Sequence, residues 1–577
     1  MKTSYQLSAI AGAISTIFAT SALAAPQVAV FDCNAADLTP IYAVQGDSYK
    51  SPMVGQTKTI RGIVTAKNES LFKGFYLQDA QGDANPATSD GIFVYTDKLA
   101  TDNIKLGVEV CLQGQVDEFY SLTQMKLASS ADYQVLDQAT ELAATPIVVN
   151  EGETLAQALE RYEGMKVVLD HNNELVITRS FSYDYGGKRN NMVVSHQAPL
   201  MNPTQLHPVL SEAAIAAKKF NNDNQLFIET DAKPDNGEVP YYADFNAQDG
   251  YLRIGDKLVN FEGVIGYSYG KYRFVATNNI SKADIISGND RTDAPAIANK
   301  GDIRVASFNV LNLFNDAVGG DKNPLESNRG AKTAEEYQLQ KTKIVNAIIA
   351  MNADIVGLME IANNGYGENS AIADLVRTLN AELPAEQTYQ FVEISDADKY
   401  KDKFIGSDAI AVGMLYRSAK VKLAGAAQVI AMPEQHVVAG QITRTLDGVT
   451  ETNPEAIDKY QRHSLAQSFS YNDQPLTVVV NHFKSKGSQC AEDWLDDGDD
   501  ADMQGSCPQF RVSAAKVLGD ALKDVVGDVL IIGDTNSYAM EDPMMVLTGD
   551  DLTQSSRKIY SASWTSIGGT SYEHKAV

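Results

Sequence analysis

The sequence predicts a multi-domain chain in which β-rich domains precede a layered α/β domain, and three observations predict it. Short segments of alternating apolar and polar residues, separated by Gly, Asp and Asn, run from Thr57 to about Ala283 and read as strands. Past Gly301 the beat changes to apolar strands alternating with helical stretches, the pattern of a buried sheet covered by helices. With 577 residues, 44% of them hydrophobic, the chain is too long for one ordinary domain and can bury more than one core.

The first residues carry Lys2, an apolar run from Leu7 to Phe18, and small residues ending in Ala22-Leu23-Ala24-Ala25. Residues 1–24 read as a secretory signal peptide cut after Ala24, so the protein is expected to be secreted and extracellular. That run is too short to span a bilayer, and no later stretch reaches the roughly 18 apolar residues a spanning helix needs. No membrane span and no obligate protein partner is expected. An oxidising destination suits the four cysteines, read as Cys33 with Cys111 and Cys490 with Cys507, the alternative being four free thiols. The second pair brackets a short acidic loop, and closing it stabilises the fold by roughly 3 kcal/mol in the chain-entropy model. Zinc is not expected, because no close Cys-x-x-Cys spacing or His pair accompanies them.

A net charge of −26 argues against a polyanionic partner, since neutralising phosphates needs clustered Lys and Arg. A divalent cation can offset that repulsion locally. A nucleic-acid substrate therefore has to be argued from motifs.

Residues 25–145 include "GFYLQDAQGDANPATSDGIFVYT" and "LGVEVCLQGQVDEFYSLTQM", which resemble the OB-like domains found ahead of secreted nucleases. Barrels of that type often bind oligonucleotides or oligosaccharides. Phe72, Phe75, Tyr76 and Tyr120 could stack bases, though core or ordinary strand surface is the simpler reading for most of them. After the helix-like "TLAQALERYEGMKVVL", residues 146–285 read as a second β-rich, OB-like region with a long insertion, because "LRIGDKLVNFEGVIGYSYGKYRFVA" echoes "KLGVEVCLQGQV". The stretch from Ser180 to Asn190 mixes Tyr and Phe with Lys188 and Arg189; it suits a nucleic-acid groove but reads first as a solvated loop. Residues 286–301 form a Gly-, Pro- and Asn-containing linker.

From 302 onward, "IRVASFNVLNLF", "ADIVGLMEI", "LTVVVNHFKS" and "DVLIIGDTNS" read as strands, while "TAEEYQLQKTKIVNAIIAMN" and "RVSAAKVLGDALKDV" read as helices. Four strand ends deliver Asn309, Glu360, His482 with its neighbour Asn481, and Asp534 with Asn536. Phosphodiester hydrolysis needs a hard cation, and magnesium is satisfied by a sparse site of one or two carboxylates plus waters. Glu360 and Asn309 supply such oxygens. His482 can hold or protonate a phosphate oxygen, Asp534 can orient the attacking water, and Asn536 can donate to developing charge.

The ordered series "SFNVLNL", "DIVGLMEI", "SDAIAVGMLYR", "VVVNHFKSKG" and "LIIGDTNSYAMEDPM" resembles the endonuclease/exonuclease/phosphatase superfamily. It is more closely similar to the extracellular nucleases of marine gamma-proteobacteria, the ExeM/NucH-like group. The resemblance implies a deoxyribonuclease-I-like α/β four-layer sandwich, with Asn309 and Glu360 at the metal and His482 as a phosphate-contacting catalytic residue. Asp534 and Asn536 match its Gly-Asp-x-Asn motif, with Thr535 where the family usually has Phe. Arg462 matches a basic position and either contacts substrate phosphate or lies at the surface. Asp408 is either near the site or a turn former. The implied cofactor is magnesium or manganese, with calcium as a further stabilising ion, and the implied substrate is extracellular DNA, with RNA second. The acidic "EDWLDDGDDAD" between Cys490 and Cys507 lacks EF-hand spacing and reads as a solvated insertion rather than a calcium loop.

Family members continue to Leu-Asp-His and Ser-Asp-His-Asp-Pro motifs. Here residues 302–577 end in "SASWTSIGGTSYEHKAV", where His574 has no matching context, so the sandwich is expected to be incomplete at its C-terminus. The leading expectation is a secreted metal-dependent nuclease. The alternative is an inactive truncated homologue that only binds nucleic acid or glycan through its OB-like domains.

Overall fold

The computed structural model describes residues 31–33, 38–138, 141–184, 189–232, 234, 238–246, 250–288, 300–396, 399, 404–495 and 502–548. The signal-peptide reading, residues 289–299 of the linker, Lys188, residues 496–501 of the acidic loop and the tail with His574 lie outside the described residues.

Strands β1 (Thr57–Asn68), β2 (Gly74–Gln78), β3 (Gly91–Tyr95), β4 (Val108–Phe119) and β5 (Leu122–Lys126) make a closed five-stranded barrel. The ring order is β1-β2-β3-β5-β4, closed by β1 on β4, with β3 and β5 parallel. β1 reaches both partners because it is 12 residues long and carries a bulge between Val64 and Ala66, which bends the strand. Ile60, Val64, Phe75, Leu77, Val94 and Val110 fill the interior together with Ile41 and Val44 of α1 (Ile41–Gln45). A disulfide from Cys33 to Cys111 ties the preceding segment to β4.

The second unit repeats that order. Helix α2 (Leu155–Glu160), started by a Thr154 capping box, leads into β6 (Lys166–Leu169), β7 (Leu175–Asp184), β8 (Arg189–His196), β9 (Gln225–Glu229), β10 (Phe261–Ser268) and β11 (Lys271–Ala276). The order β7-β8-β9-β11-β10-β6, with β9 and β11 parallel, is that of the first barrel with its first strand broken into β7 and β6. The insertion between β8 and β9 carries α3 (Pro203–Leu206) and α4 (Glu212–Asp223). The described part of the stretch read as a loop is instead paired backbone, because β7 and β8 run antiparallel from the pair Leu175–His196 to the pair Asp184–Arg189. The two barrels are packed together. Ala66, Tyr76, Phe93 and Leu122 meet Val264 and Val275, and a Cβ on Gly91 would lie 2.2 Å from the Gly164 carbonyl carbon. Phe75 and Tyr76 are therefore core, Phe72 packs edge-on to Phe93, and Tyr120 is exposed beside Phe119.

The third unit stacks four layers. One sheet contains β12 (Val305–Leu313), β13 (Ile355–Ala362), β14 (Gln390–Phe391) and β15 (Ile410–Tyr416) in the order β12-β13-β15-β14. The other has β16 (Ser464–Tyr471), β17 (Gln474–His482) and β18 (Asp528–Asp534) in sequence order. Ile355, Met359, Val412 and Met414 of the first meet Leu465, Phe469, Val478 and Val480 of the second. Gly357 lets the sheets close, since a Cβ there would lie 2.6 Å from Ile532 and 2.8 Å from Val480. Helices α5 (Ala334–Met351) and α6 (Ala371–Glu382) cover the first sheet. After the short α7 (Ala491–Leu495), α8 (Pro508–Leu522) and α9 (Asp542–Thr548) cover the second. Helix α5 starts at a Thr333–Glu336 capping box and stops where Asn352 turns left-handed, a conformation asparagine tolerates. Among the described residues no helix is long and apolar enough to cross a membrane.

Candidate active site

The pairs β12–β13 and β17–β18 are parallel, so each sheet delivers two C-terminal strand ends to one edge of the sandwich. Asn309 and Glu360 come from the first sheet, His482 and Asp534 from the second, where they sit directly opposite each other in register. Both first-sheet strands break register at this point, between Asn309 and Leu313 in β12 and between Leu358 and Ile361 in β13. Leu311, Asn312 and Glu360 take positive φ angles of 54°, 55° and 64°. Such conformations are costly for residues with side chains and persist where the surroundings impose them.

Asn309 Nδ2 donates to Glu360 Oε1 at 3.0 Å and to Asp534 Oδ2 at 3.2 Å. Its Oδ1 accepts the Leu311 N–H at 2.9 Å. The amide nitrogen, not the oxygen, thus faces the carboxylates. His482 Nε2 lies 3.7 Å from Glu360 Oε1 and 4.0 Å from Asp534 Oδ2, beyond hydrogen-bond range. Glu360, His482 and Asp534 each offer a ligand atom, and these atoms all lie within 4.8 Å of one another. Among the described residues neither carboxylate pairs with a lysine or arginine. Burial, with repulsion from Arg462 added, pushes the His482 imidazole down to about 2, so the ring is neutral near pH 7. Its Nδ1 is buried without a partner among the described residues.

Asn536 turns back on the strand it follows. At φ 49° its N–H donates to Asp534 Oδ1 at 2.9 Å and its Nδ2 to the Phe483 carbonyl at 3.2 Å. The same carbonyl accepts Arg462 Nη2 at 2.5 Å. Arg462 is buried, which removes the surface reading: it lies behind the site, with Nη1 3.8 Å from Asp408 Oδ2. Asp408 is buried too, and its Oδ1 accepts Arg329 Nη2 at 2.8 Å and the Ala409 N–H at 2.7 Å.

Asn481 is not brought to the site. It points to the opposite face from His482, as successive strand residues do, and is fully buried. Its Nδ2 donates to the carbonyls of Val479 and Ile532 at 3.2 and 3.1 Å, and its Oδ1 accepts Ser464 Oγ at 2.5 Å. Arg329 and the Phe483 carbonyl escaped the sequence reading, one in a polar loop and the other a main-chain group, neither with a motif to mark it.

Cys490 and Cys507 are joined in a disulfide, so their sulfurs are poor metal donors although Asp493 lies beside them. The Asp493 carboxylate accepts the N–H groups of both cysteines, and Glu492 accepts that of Phe510. These two carboxylates of the acidic loop serve the backbone, which leaves Glu360, His482 and Asp534 as the metal-competent cluster among the described residues.

No family model matches the sequence, and no curated protein matches it. Solved structures do. The human Nocturnin catalytic domain with bound sulfate is 16% identical, with 42% of this chain and 67% of that chain covered and a TM-score of 0.25. A β-hairpin deletion mutant of beta toxin from Staphylococcus aureus is 15% identical over 43% and 72%, TM-score 0.25. An endonuclease/exonuclease/phosphatase family protein from Bacteroides thetaiotaomicron is 12% identical over 42% and 66%, TM-score 0.23. Likenesses at that level do not decide a function, and the reading that follows rests on the chain's own geometry.

Proposed function

We propose that this chain is a secreted, metal-dependent phosphodiesterase of the endonuclease/exonuclease/phosphatase type, of the ExeM/NucH-like extracellular kind, and that it hydrolyses DNA. The observation that carries this reading is the convergence of Glu360, His482 and Asp534 at one edge of a two-sheet sandwich, with ligand atoms within 4.8 Å of one another and, among the described residues, no lysine or arginine at ion-pair distance from either carboxylate, the buried Arg462 acting on both only from behind the site. Two carboxylates held that close repel unless a cation sits between them. Hard oxygen donors suit magnesium or manganese, and Glu360 and Asp534 would hold the ion, with Asn309 bridging them. Such an ion, when bound, offsets the charge that builds on the phosphoryl oxygens.

The rest falls to the chain. Asp534 orients a water whose oxygen bonds phosphorus as the bond to the sugar oxygen breaks; one water proton passes to the carboxylate and from there to solvent, and the leaving sugar oxygen takes up a proton from a solvent water. His482, neutral at working pH, donates an N–H to a non-bridging phosphate oxygen. Asn536 and Arg462 keep the turn after Asp534 closed on the Phe483 carbonyl. Two barrels of the strand order that commonly carries nucleic acid precede the site, which favours DNA over a small phosphodiester.

The test is digestion of plasmid DNA by the full chain with Mg²⁺, with a chelator, and by His482→Ala. Cleavage that needs both metal and His482 supports the reading. Metal-independent cleavage, or none by the parent chain, sinks it.

A further inference from the structure

The loop that leaves Asp534 is held from the second barrel. Met540 N–H donates to the Thr204 carbonyl at 2.9 Å, Ala539 N–H reaches Gln205 Oε1 at 3.4 Å, and the single Thr204 hydroxyl proton is shared between Glu541 Oε1 at 2.9 Å and Asn202 Oδ1 at 2.7 Å. Thr204 and Gln205 belong to α3, which Asn202 caps. The segment around α3 is itself fastened to its barrel. Leu200 N–H donates to Thr178 Oγ1 at 2.7 Å, and Asn221 Nδ2 to the Met201 carbonyl at 2.7 Å.

Glu541 is fully buried and also accepts both contacts of Lys486 Nζ, at 2.7 and 2.8 Å. Lys486 follows His482 by one short turn of chain, and its ammonium lies 4.7 Å from the Tyr538 ring centre. One buried carboxylate therefore joins the loop after His482, the loop after Asp534, and the second barrel. A buried charge demands its partners, because each lost hydrogen bond leaves it under-satisfied in a low-dielectric setting. Asn536, five residues upstream of Glu541, sits at φ 49°, a left-handed conformation that asparagine tolerates, in the turn that leads from Asp534 to Glu541.

We infer that Thr204 and Gln205 of the second barrel are positioning residues for the site: through Glu541 they clamp the loop that presents Asp534 and Asn536 to His482. The barrel is thus a part of the active site's scaffold and not only a tethered binding module. The catalytic readout of this inference rests on the phosphodiesterase reading above; the clamp itself does not.

The test uses the full chain and three variants, Thr204→Val, Thr204→Ser and Gln205→Ala, with two readouts. One is amide hydrogen exchange in the peptide spanning 535–545. The other is kcat and KM for DNA cleavage with Mg²⁺. Thr204→Val keeps the shape and removes the hydroxyl, so exchange rises about tenfold and kcat falls about tenfold with KM within about twofold. Thr204→Ser restores both, and Gln205→Ala moves both the same way by less. Unchanged exchange in Thr204→Val overturns the clamp, and faster exchange at an unaltered kcat overturns the positioning role. If the parent chain cleaves nothing, the phosphodiesterase reading fails, and the exchange comparison alone still decides whether the barrel holds the loop.

Discussion

Asn309 and Glu360 stand on adjacent parallel strands, each at a break in register, and the amide of one donates to the carboxylate of the other at 3.0 Å. The same amide nitrogen reaches Asp534 from the opposite sheet. One neutral side chain therefore fixes the spacing of two acids that would otherwise repel. Asn309→Ala is expected to weaken Mn²⁺ binding and lower DNA cleavage by about 10- to 100-fold, the range seen when groups that orient metal ligands are removed. Calorimetric Mn²⁺ titration and initial cleavage rates check it; unaltered affinity would count against the bridging role.

His482 is neutral and its Nδ1 has no partner among the described residues. Removing the ring forfeits packing but breaks no buried hydrogen bond. His482→Ala should therefore cut cleavage by about 10²- to 10⁴-fold while keeping the circular dichroism spectrum and most of the melting temperature. A variant that unfolds instead would show that the ring serves the core.

Much of this was legible in the sequence for local reasons, and what was not is non-local. Helix α5 could be read because apolar residues recur at helical spacing from Tyr337 to Ile348, and β17 because Val478 to Val480 form an apolar run ending in polar residues. The residue types at the strand ends pointed to Glu360, His482 and Asp534, which the fold brings within 4.8 Å of one another. The antiparallel pairing of β7 and β8 was hidden, since Tyr, Asp, Gly and Lys between Ser180 and Asn190 interrupt any alternation. Strand order, the bulge that turns Glu360, and the burial of Arg462 depend on partners far along the chain. Thr204 and Glu541, 337 positions apart, leave no sequence signal at all. The inward direction of Asn481 was accessible in principle, because adjacent strand residues face opposite ways.

Asn481 gives a prediction opposite to that for His482. Its amide satisfies two strand carbonyls and accepts from Ser464 in the fully buried interior. Asn481→Ala leaves those groups without partners, which costs about 1–3 kcal/mol. Urea unfolding should register that loss, while KM for DNA in the folded fraction stays at the parent value. A raised KM with unchanged stability would return Asn481 to the substrate.

Asp79 supplies a pH dependence. Its carboxylate accepts the Ile41 N–H at 2.9 Å and so holds the start of α1. Burial raises its pKa from 3.8 to about 6, aided by repulsion from Asp90 and Asp83 and opposed by the backbone N–H groups of Ile41 and Tyr42. An acid raised in the folded state binds a proton there that the unfolded chain has already lost between those two values. Its contribution is therefore most favourable below about pH 4, declines as pH rises to about 6, and stays unfavourable above. Because the group is only partly buried, the penalty is on the order of 1–2 kcal/mol. Asp79→Asn keeps an acceptor for Ile41 and cannot ionise. It should melt a few degrees above the parent at pH 7.5, with the gap closing near pH 4. Differential scanning calorimetry at the two pH values decides it: an equal gap at both would mean that the carboxylate's charge is not what destabilises this corner of the first barrel.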